Sequence, residues 1–306
     1  MGKKDVLSKK YMRNPIIFAD FFNGIIYNGE PIINPSSLSE IDTSTISLVP
    51  YTNGKKSLAI QKYRDIIKQA IIMKSSNSFF VILGIENQTD IHYAMPIRNM
   101  LYNALTYYEQ VEEIASYNKE NRIYIDNGFL SGYTKNDKLR PVITVTLYWG
   151  EKPWDAPTTL KEMLIETDNA TLSLVDDVNC NLFSIVDTHE FPEYQTELKE
   201  LFSLLNARNN GESMYSLVES DEHFKHISKE TAEMMRDFAN IKLPHKNKEG
   251  EYNMCKAVLD IQKMGEDKAR LEAIKNIMKN GNQTFEQACI LLGITKDDKC
   301  KYQKMI

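Results

Sequence analysis

The sequence predicts an α/β fold, on three observations. Phe79 to Ile85 is apolar at successive positions, as in a strand buried on both faces. Val142 to Thr146 is a β-branched run suited to a second buried strand. Between them, Ile97, Leu101, Leu105, Tyr108 and Val111 recur at helical spacing behind Pro96, which suits the first turn of a helix. Strands separated by a long helix indicate a layered α/β core.

In chain order, Asn14 followed by Pro15 pairs a capping residue with a residue suited to the first helical position. Phe18, Phe21, Phe22, Ile25 and Ile26 then predict a helix over 15–27. Asn28, Gly29, Glu30 and Pro31 stop it, and the Ser, Thr and Pro content up to Pro50 predicts a connecting loop with at most a short turn of helix. Leu58 to Met73 and Ser78 to Gln88 flank the turn-forming Ser75, Ser76 and Asn77, which predicts an antiparallel hairpin. The spacing of Ile60, Tyr63, Ile67 and Ile71 leaves a helix open for the first of these runs. After the long helix to about Asn118 and the strand Pro141 to Tyr148 comes a short apolar run, Asn181 to Val186, that adds an edge or parallel strand. Glu193 to Asn206 and Lys229 to Ile241 read as helices.

The tail differs in character. Lys242 to Glu251 is a polar linker, Tyr252 to Asn280 a charged helix, and Thr284 to Leu292 and Lys296 to Met305 two short helices. Thr284 and Gln287 stand at capping-box spacing, and Gly293 suits a helix stop. The expected organisation is therefore an α/β domain over 1–241 and a helical C-terminal extension over 242–306.

Composition narrows the classes. The chain has 306 residues, 42% of them hydrophobic, enough for a sizeable core without disulfide staples. Its apolar runs of about six residues fall far short of the roughly 18 needed to cross a bilayer. The basic start Met1 to Lys10 leads into Tyr11, Met12 and Arg13 rather than an apolar stretch, so no secretory signal is expected. Cys180, Cys255, Cys289 and Cys300 form no C-x-x-C pair, which argues against a zinc site and for a reducing, cytoplasmic setting. Charge is uneven: 242–306 carries 13 Lys or Arg against 9 Asp or Glu, whereas the rest carries 24 against 33. A further basic cluster, Lys3, Lys4, Lys9, Lys10 and Arg13, opens the chain. Basic ends on an acidic body suit nucleic-acid contact as well as plain solvated helix faces.

The chemistry gathers where the buried strand turns polar, at Ile85, Glu86, Asn87, Gln88, Thr89 and Asp90. Glu86 and Gln88 share one face at the carboxyl end of the strand, the edge at which α/β sheets place their sites. A buried carboxylate needs a cation or donors. With a two-residue turn at Ser75 and Ser76, Asp65 lies opposite Glu86; moving the turn to Ser76 and Asn77 sets it opposite Gln88. Both registers place Asp65, Glu86 and Gln88 on one face. Opposed β-carbons there stand about 5 Å apart, close enough for two carboxylates to share a divalent ion.

The segment YRDIIK followed by FFVILGIENQTDIHYAMPIRNMLYNAL resembles the recombination-promoting nuclease and transposase (Rpn-type) family of bacteria, a branch of the PD-(D/E)XK nuclease superfamily. The likeness covers about residues 4–205 in layout and is specific over Tyr63 to Tyr108. It implies a restriction-endonuclease-like three-layer core, with a mixed central sheet flanked by helices, and metal-dependent hydrolysis of DNA phosphodiesters linked to recombination or mobile elements. By the same resemblance Asp65 and Glu86 would hold Mg2+ or Mn2+, and Gln88 would take the third catalytic position, where a Lys is usual; Gln can orient a water but carries no charge. Arg64 stands where a proline is usual and, with Arg98 and Tyr102, would contact the substrate. Asp20 would be an additional acid.

Other readings stay beside it. Arg98 could instead pair with Asp90 or a helix-end carboxylate. Asp20 could be a solvated acid. His92, His189, His223, His226 and His245 have no convincing nucleophile partner, and Trp149 and Trp154 read as core packing. The tail has the outline of a helix-turn-helix, with Lys299, Lys301 and Lys304 on its second helix, a form that also serves as a cap or dimer contact. DNA is the expected partner, a homodimer is left open, and no membrane is expected. The alternative function is a catalytically degenerate DNA-binding or protein-interaction module that keeps the nuclease fold.

Overall fold

The structure is a computed structural model that describes residues 2–41, 46–50, 57–61, 65–74, 77–123, 132–303 and 305, with backbone alone at 46–50, 57–61, 73, 74, 77, 78, 261, 264, 296 and 297. The chain divides into two compact units, Met1–Asn206 and Ala207–Ile306.

The first unit opens with helices α1 (Lys3–Arg13) and α2 (Pro15–Tyr27), then strands β1 (Ser39–Glu40), β2 (Ile46–Pro50), β3 (Ser57–Gln61), β4 (Ile66–Lys74) and β5 (Asn77–Gln88). Helix α3 (Met95–Glu120), β6 (Val142–Tyr148), α4 (Asn169–Ser173), β7 (Asn181–Ser184) and α5 (Leu198–Ala207) come after them. The main sheet runs β1-β4-β5-β6-β7. It is mixed: β1, β4 and β5 pair antiparallel, whereas β5, β6 and β7 pair parallel.

Helices cover both faces of the sheet. On one, Asn103 and Asn99 of α3 reach Thr144 and Thr146 of β6 at 2.7 and 2.9 Å. On the other, Phe183 of β7 packs edge-on against Phe21 of α2 and tilted against Phe202 of α5, at 5.5 and 5.4 Å between ring centres. This alternation of side-chain direction along each strand is what builds a core on either side of one sheet.

Local chemistry accounts for the elements. The Asn14 side chain accepts from Ile16 N–H, Pro15 sits in the first turn of α2, and Asn28 ends that helix in a left-handed conformation that Asn tolerates. Three sequence expectations are corrected. Leu58 to Met73 is not one element: Ser57–Gln61 satisfies its backbone groups in a separate ribbon with Ile46–Pro50, and the hairpin strand begins at Ile66. The stretch up to Pro50 is more than a loop, since it carries β1 and β2. Helix α1 was not expected, because its residues are mostly polar and only Ser8, Tyr11 and Met12 are buried.

The second unit contains α6 (Gly211–Ser220), α7 (Lys229–Ala239), α8 (Met254–Asn280), α9 (Phe285–Leu291) and α10 (Lys296–Gln303). The division falls at 206/207, earlier than the expected boundary after Ile241, because 207–241 is bonded to the start of the C-terminal segment. Ile227 bridges Tyr252, and the Cys255 thiol donates to the Val218 carbonyl. Both halves of the Thr284–Gln287 capping box form, and Gly293 takes the positive φ that ends α9. Ile274, Ala288, Cys289 and Tyr302 make a small core where α8, α9 and α10 meet. No helix among the described residues is long and apolar enough to cross a membrane.

Candidate active site

The β4–β5 ladder runs from Ile66 opposite Ile85 to Lys74 opposite Asn77. This is the register a two-residue turn at Ser75 and Ser76 requires, although those two residues lie outside the described ones. One step beyond its last pair stand Asp65 and Glu86. Asp65 has left the ladder and turns its carboxylate toward β5: Oδ2 accepts from the Asn87 N–H at 2.8 Å. Its other oxygen, Oδ1, lies 2.9 Å from the Lys9 ammonium. Lys9 comes from α1 and also meets Asp5, one helical turn earlier, at 3.1 Å.

Glu86 is fully buried, and Arg98 of α3 brings Nη2 to 3.1 Å from its Oε2. The guanidinium is steadied from its own helix, since Nε donates to the Tyr102 hydroxyl at 3.2 Å. Arg98 therefore pairs with Glu86 rather than with Asp90 or a helix-end acid. Gln88 lies opposite Tyr148 in the β5–β6 ladder, on the Glu86 face, and is half-buried. Arg64 falls outside the described residues.

Protonation reflects this arrangement. Burial pushes the Asp65 carboxyl above the usual range, against the pull of Lys9 and the Asn87 amide. Burial draws Lys9 down, but Asp65 and Asp5 outweigh it and the ammonium ends above its ordinary value. Arg98 likewise ends raised: burial opposes its charge, while Glu86, Tyr102 and Asp65 more than offset that.

A polar layer backs the carboxylates. Asn99 Nδ2 donates to Thr146 Oγ1 at 2.9 Å and lies 3.3 Å from Cys180 Sγ, while Trp149 Nε1 donates to Asn87 Oδ1 at 2.9 Å. Trp149 is core, as expected. Burial raises the Cys180 thiol above its usual value. A thiol reagent followed by intact-mass measurement is expected to modify exposed Cys300 first, and buried Cys180 and Cys289 only on unfolding. Early loss of the Cys180 thiol would show that this layer opens in the native state.

The reading of Asp20 as a solvated acid is corrected: it is buried, and its two oxygens accept from the Gln195 N–H, the Thr196 N–H and the Thr196 hydroxyl at 2.6 to 3.0 Å, holding the chain ahead of α5. The exposed His223 and His226 pair with Asp221 and Glu251. Sequence reasoning missed Lys9 as a site residue; its signal was the i, i+4 pair with Asp5 on an otherwise unremarked helix. The chain matches no protein-family model, no curated protein and no solved structure.

Proposed function

We propose that this chain is a metal-dependent DNA endonuclease with a restriction-endonuclease-like core, acting through Asp65, Glu86 and Gln88. The observation that carries the reading is the meeting of Asp65 and Glu86 at the end of the hairpin, each against its own cation. Two carboxylates held this way are hard oxygen donors in surroundings that already accommodate a positive charge beside each of them, which fits Mg2+ or Mn2+. Such an ion, when bound, would lower the pKa of a water and polarise the phosphate. Binding it asks the Lys9 ammonium and the Arg98 guanidinium to yield part of their hold on the two acids. Arg98 and Tyr102 then bind a phosphate oxygen, and the Gln88 amide orients the attacking water. The water oxygen bonds to phosphorus and its proton passes to solvent. The bond to the leaving sugar oxygen breaks, and that oxygen takes a proton from solvent.

A second reading has a specific observation behind it. Neutral Gln88 at the third position, with both site cations committed to the carboxylates, also suits a DNA-binding or protein-interaction module without catalysis. The test is nicking of supercoiled plasmid with Mg2+ or Mn2+, with an EDTA control. Asp65→Ala and Glu86→Ala are each expected to lower the metal-dependent rate by about 100-fold or more. Cleavage that survives both changes would sink the site assignment. No cleavage by the native chain, with salt-sensitive DNA binding intact, would favour the second reading.

A further inference from the structure

We propose that Lys9 is a further catalytic residue of this site, supplying to the scissile phosphate the cationic hydrogen-bond donor that position 88 lacks; the assignment rests on the nuclease reading above. Negative charge gathers on the phosphorus oxygens as the water adds, and a preorganised cation aimed at them is the largest help a protein can give. Gln88 offers an amide dipole and no charge. The Arg98 guanidinium meets fully buried Glu86 through Nη2 and Tyr102 through Nε, so its position is set by Glu86.

Lys9 is placed differently. Its side chain is 20% exposed and its ammonium bridges two carboxylates, 2.9 Å from Asp65 and 3.1 Å from Asp5. An ammonium on a four-carbon stem has three donors that swing together. Were Asp65 to hold a metal ion, the ammonium would yield that oxygen and one of its donors would be free beside it. Asp5, one turn back on α1, keeps the ammonium from leaving. Asp5 would thus be the tether, and Asp65 the oxygen that Lys9 shares with the ion. Lys9 acts only by donating hydrogen bonds, and no proton transfer is assigned to it. Helix α1 thereby gains a reason to be built of polar residues: it delivers a charge to the end of β5 rather than an apolar face to the core.

The experiment compares the native chain with Lys9→Met and with Lys9→Met combined with Gln88→Lys, using Mn2+ titration by electron paramagnetic resonance without DNA and plasmid cleavage at saturating Mn2+. Lys9→Met is expected to bind Mn2+ at least as tightly as the native chain, because one cation competing for Asp65 is gone, while its saturated cleavage rate falls about 100-fold. Gln88→Lys in that background is expected to return about tenfold of the loss, a rescue that a merely structural lysine would not show. Cleavage by Lys9→Met within about threefold of native would overturn the proposal, as would loss of Mn2+ binding, which would make Lys9 a partner that only shapes Asp65. A native chain that binds Mn2+ and cleaves nothing would fail differently: the nuclease reading itself falls, and the role of Lys9 with it.

Discussion

Arg98→Met is expected to destabilise the first unit by about 3 kcal/mol, because it leaves a fully buried carboxylate without its cation. Glu86 has no exposed side-chain surface, whereas Arg98 keeps 30% of its own, so the loss falls near the lower end of what breaking a buried pair costs. The same principle gives the double variant its sign. Replacing both partners with uncharged residues of similar volume, Glu86→Gln with Arg98→Met, removes the stranded charge and is expected to recover most of the loss, in a coupling of about 2 kcal/mol. Trp149 and Trp154 are the chain's two tryptophans and both lie in the first unit, so fluorescence during urea unfolding reports on this unit rather than the other. An Arg98→Met penalty under about 1 kcal/mol would mean that Glu86 is adequately held by its other surroundings, and Arg98 would then be free to serve substrate alone.

The contrast between Asp65 and Asp20 shows what the sequence could tell. The register that brings Asp65 to the end of β5 was legible because a local rule sets it, a short turn and a period of two that the ladder keeps over its whole length; that Asp65 leaves the ladder for the Asn87 amide and Lys9 is not contained in that rule. Asp20 was not legible, because its partners, the backbone amides of Gln195 and Thr196, lie far along the chain and leave no pattern near Phe18 or Phe21. Lys9 shows a third situation. Apolar periodicity reports helices that bury an apolar stripe, and α1 buries only Ser8, Tyr11 and Met12, so neither the helix nor the charge it carries stood out. The Arg98–Tyr102 pair needed only helical spacing and was readable. That Arg98 would choose Glu86 over Asp90 depended on how α3 crosses the sheet, which periodicity does not contain.

Phe202→Ala is expected to cost about 4 kcal/mol and to disturb the site without touching it. Phe202 is fully buried, and the rings of Phe21, Phe183, Phe191, Tyr194 and Trp149 surround it at 5.4 to 6.3 Å. These neighbours come from α2, β7, the chain ahead of α5, and the residue after β6, so one truncation opens a cavity that no single element can close by shifting. Trp149 links this cluster to the carboxylates: its indole N–H holds the Asn87 side chain, and the Asn87 backbone amide holds Asp65. Trp149→Phe keeps an aromatic ring beside Phe202 while removing that hydrogen bond and the volume of the indole's second ring, a smaller packing loss than Phe202→Ala. Its expected cost is about 2–3 kcal/mol, from leaving the buried Asn87 carbonyl without its donor and from the small cavity beside Phe202. If Trp149→Phe instead matched Phe202→Ala in urea unfolding, the chief role of Trp149 would be filling the core, and the path from the aromatic layer to Asp65 would carry no energy of its own.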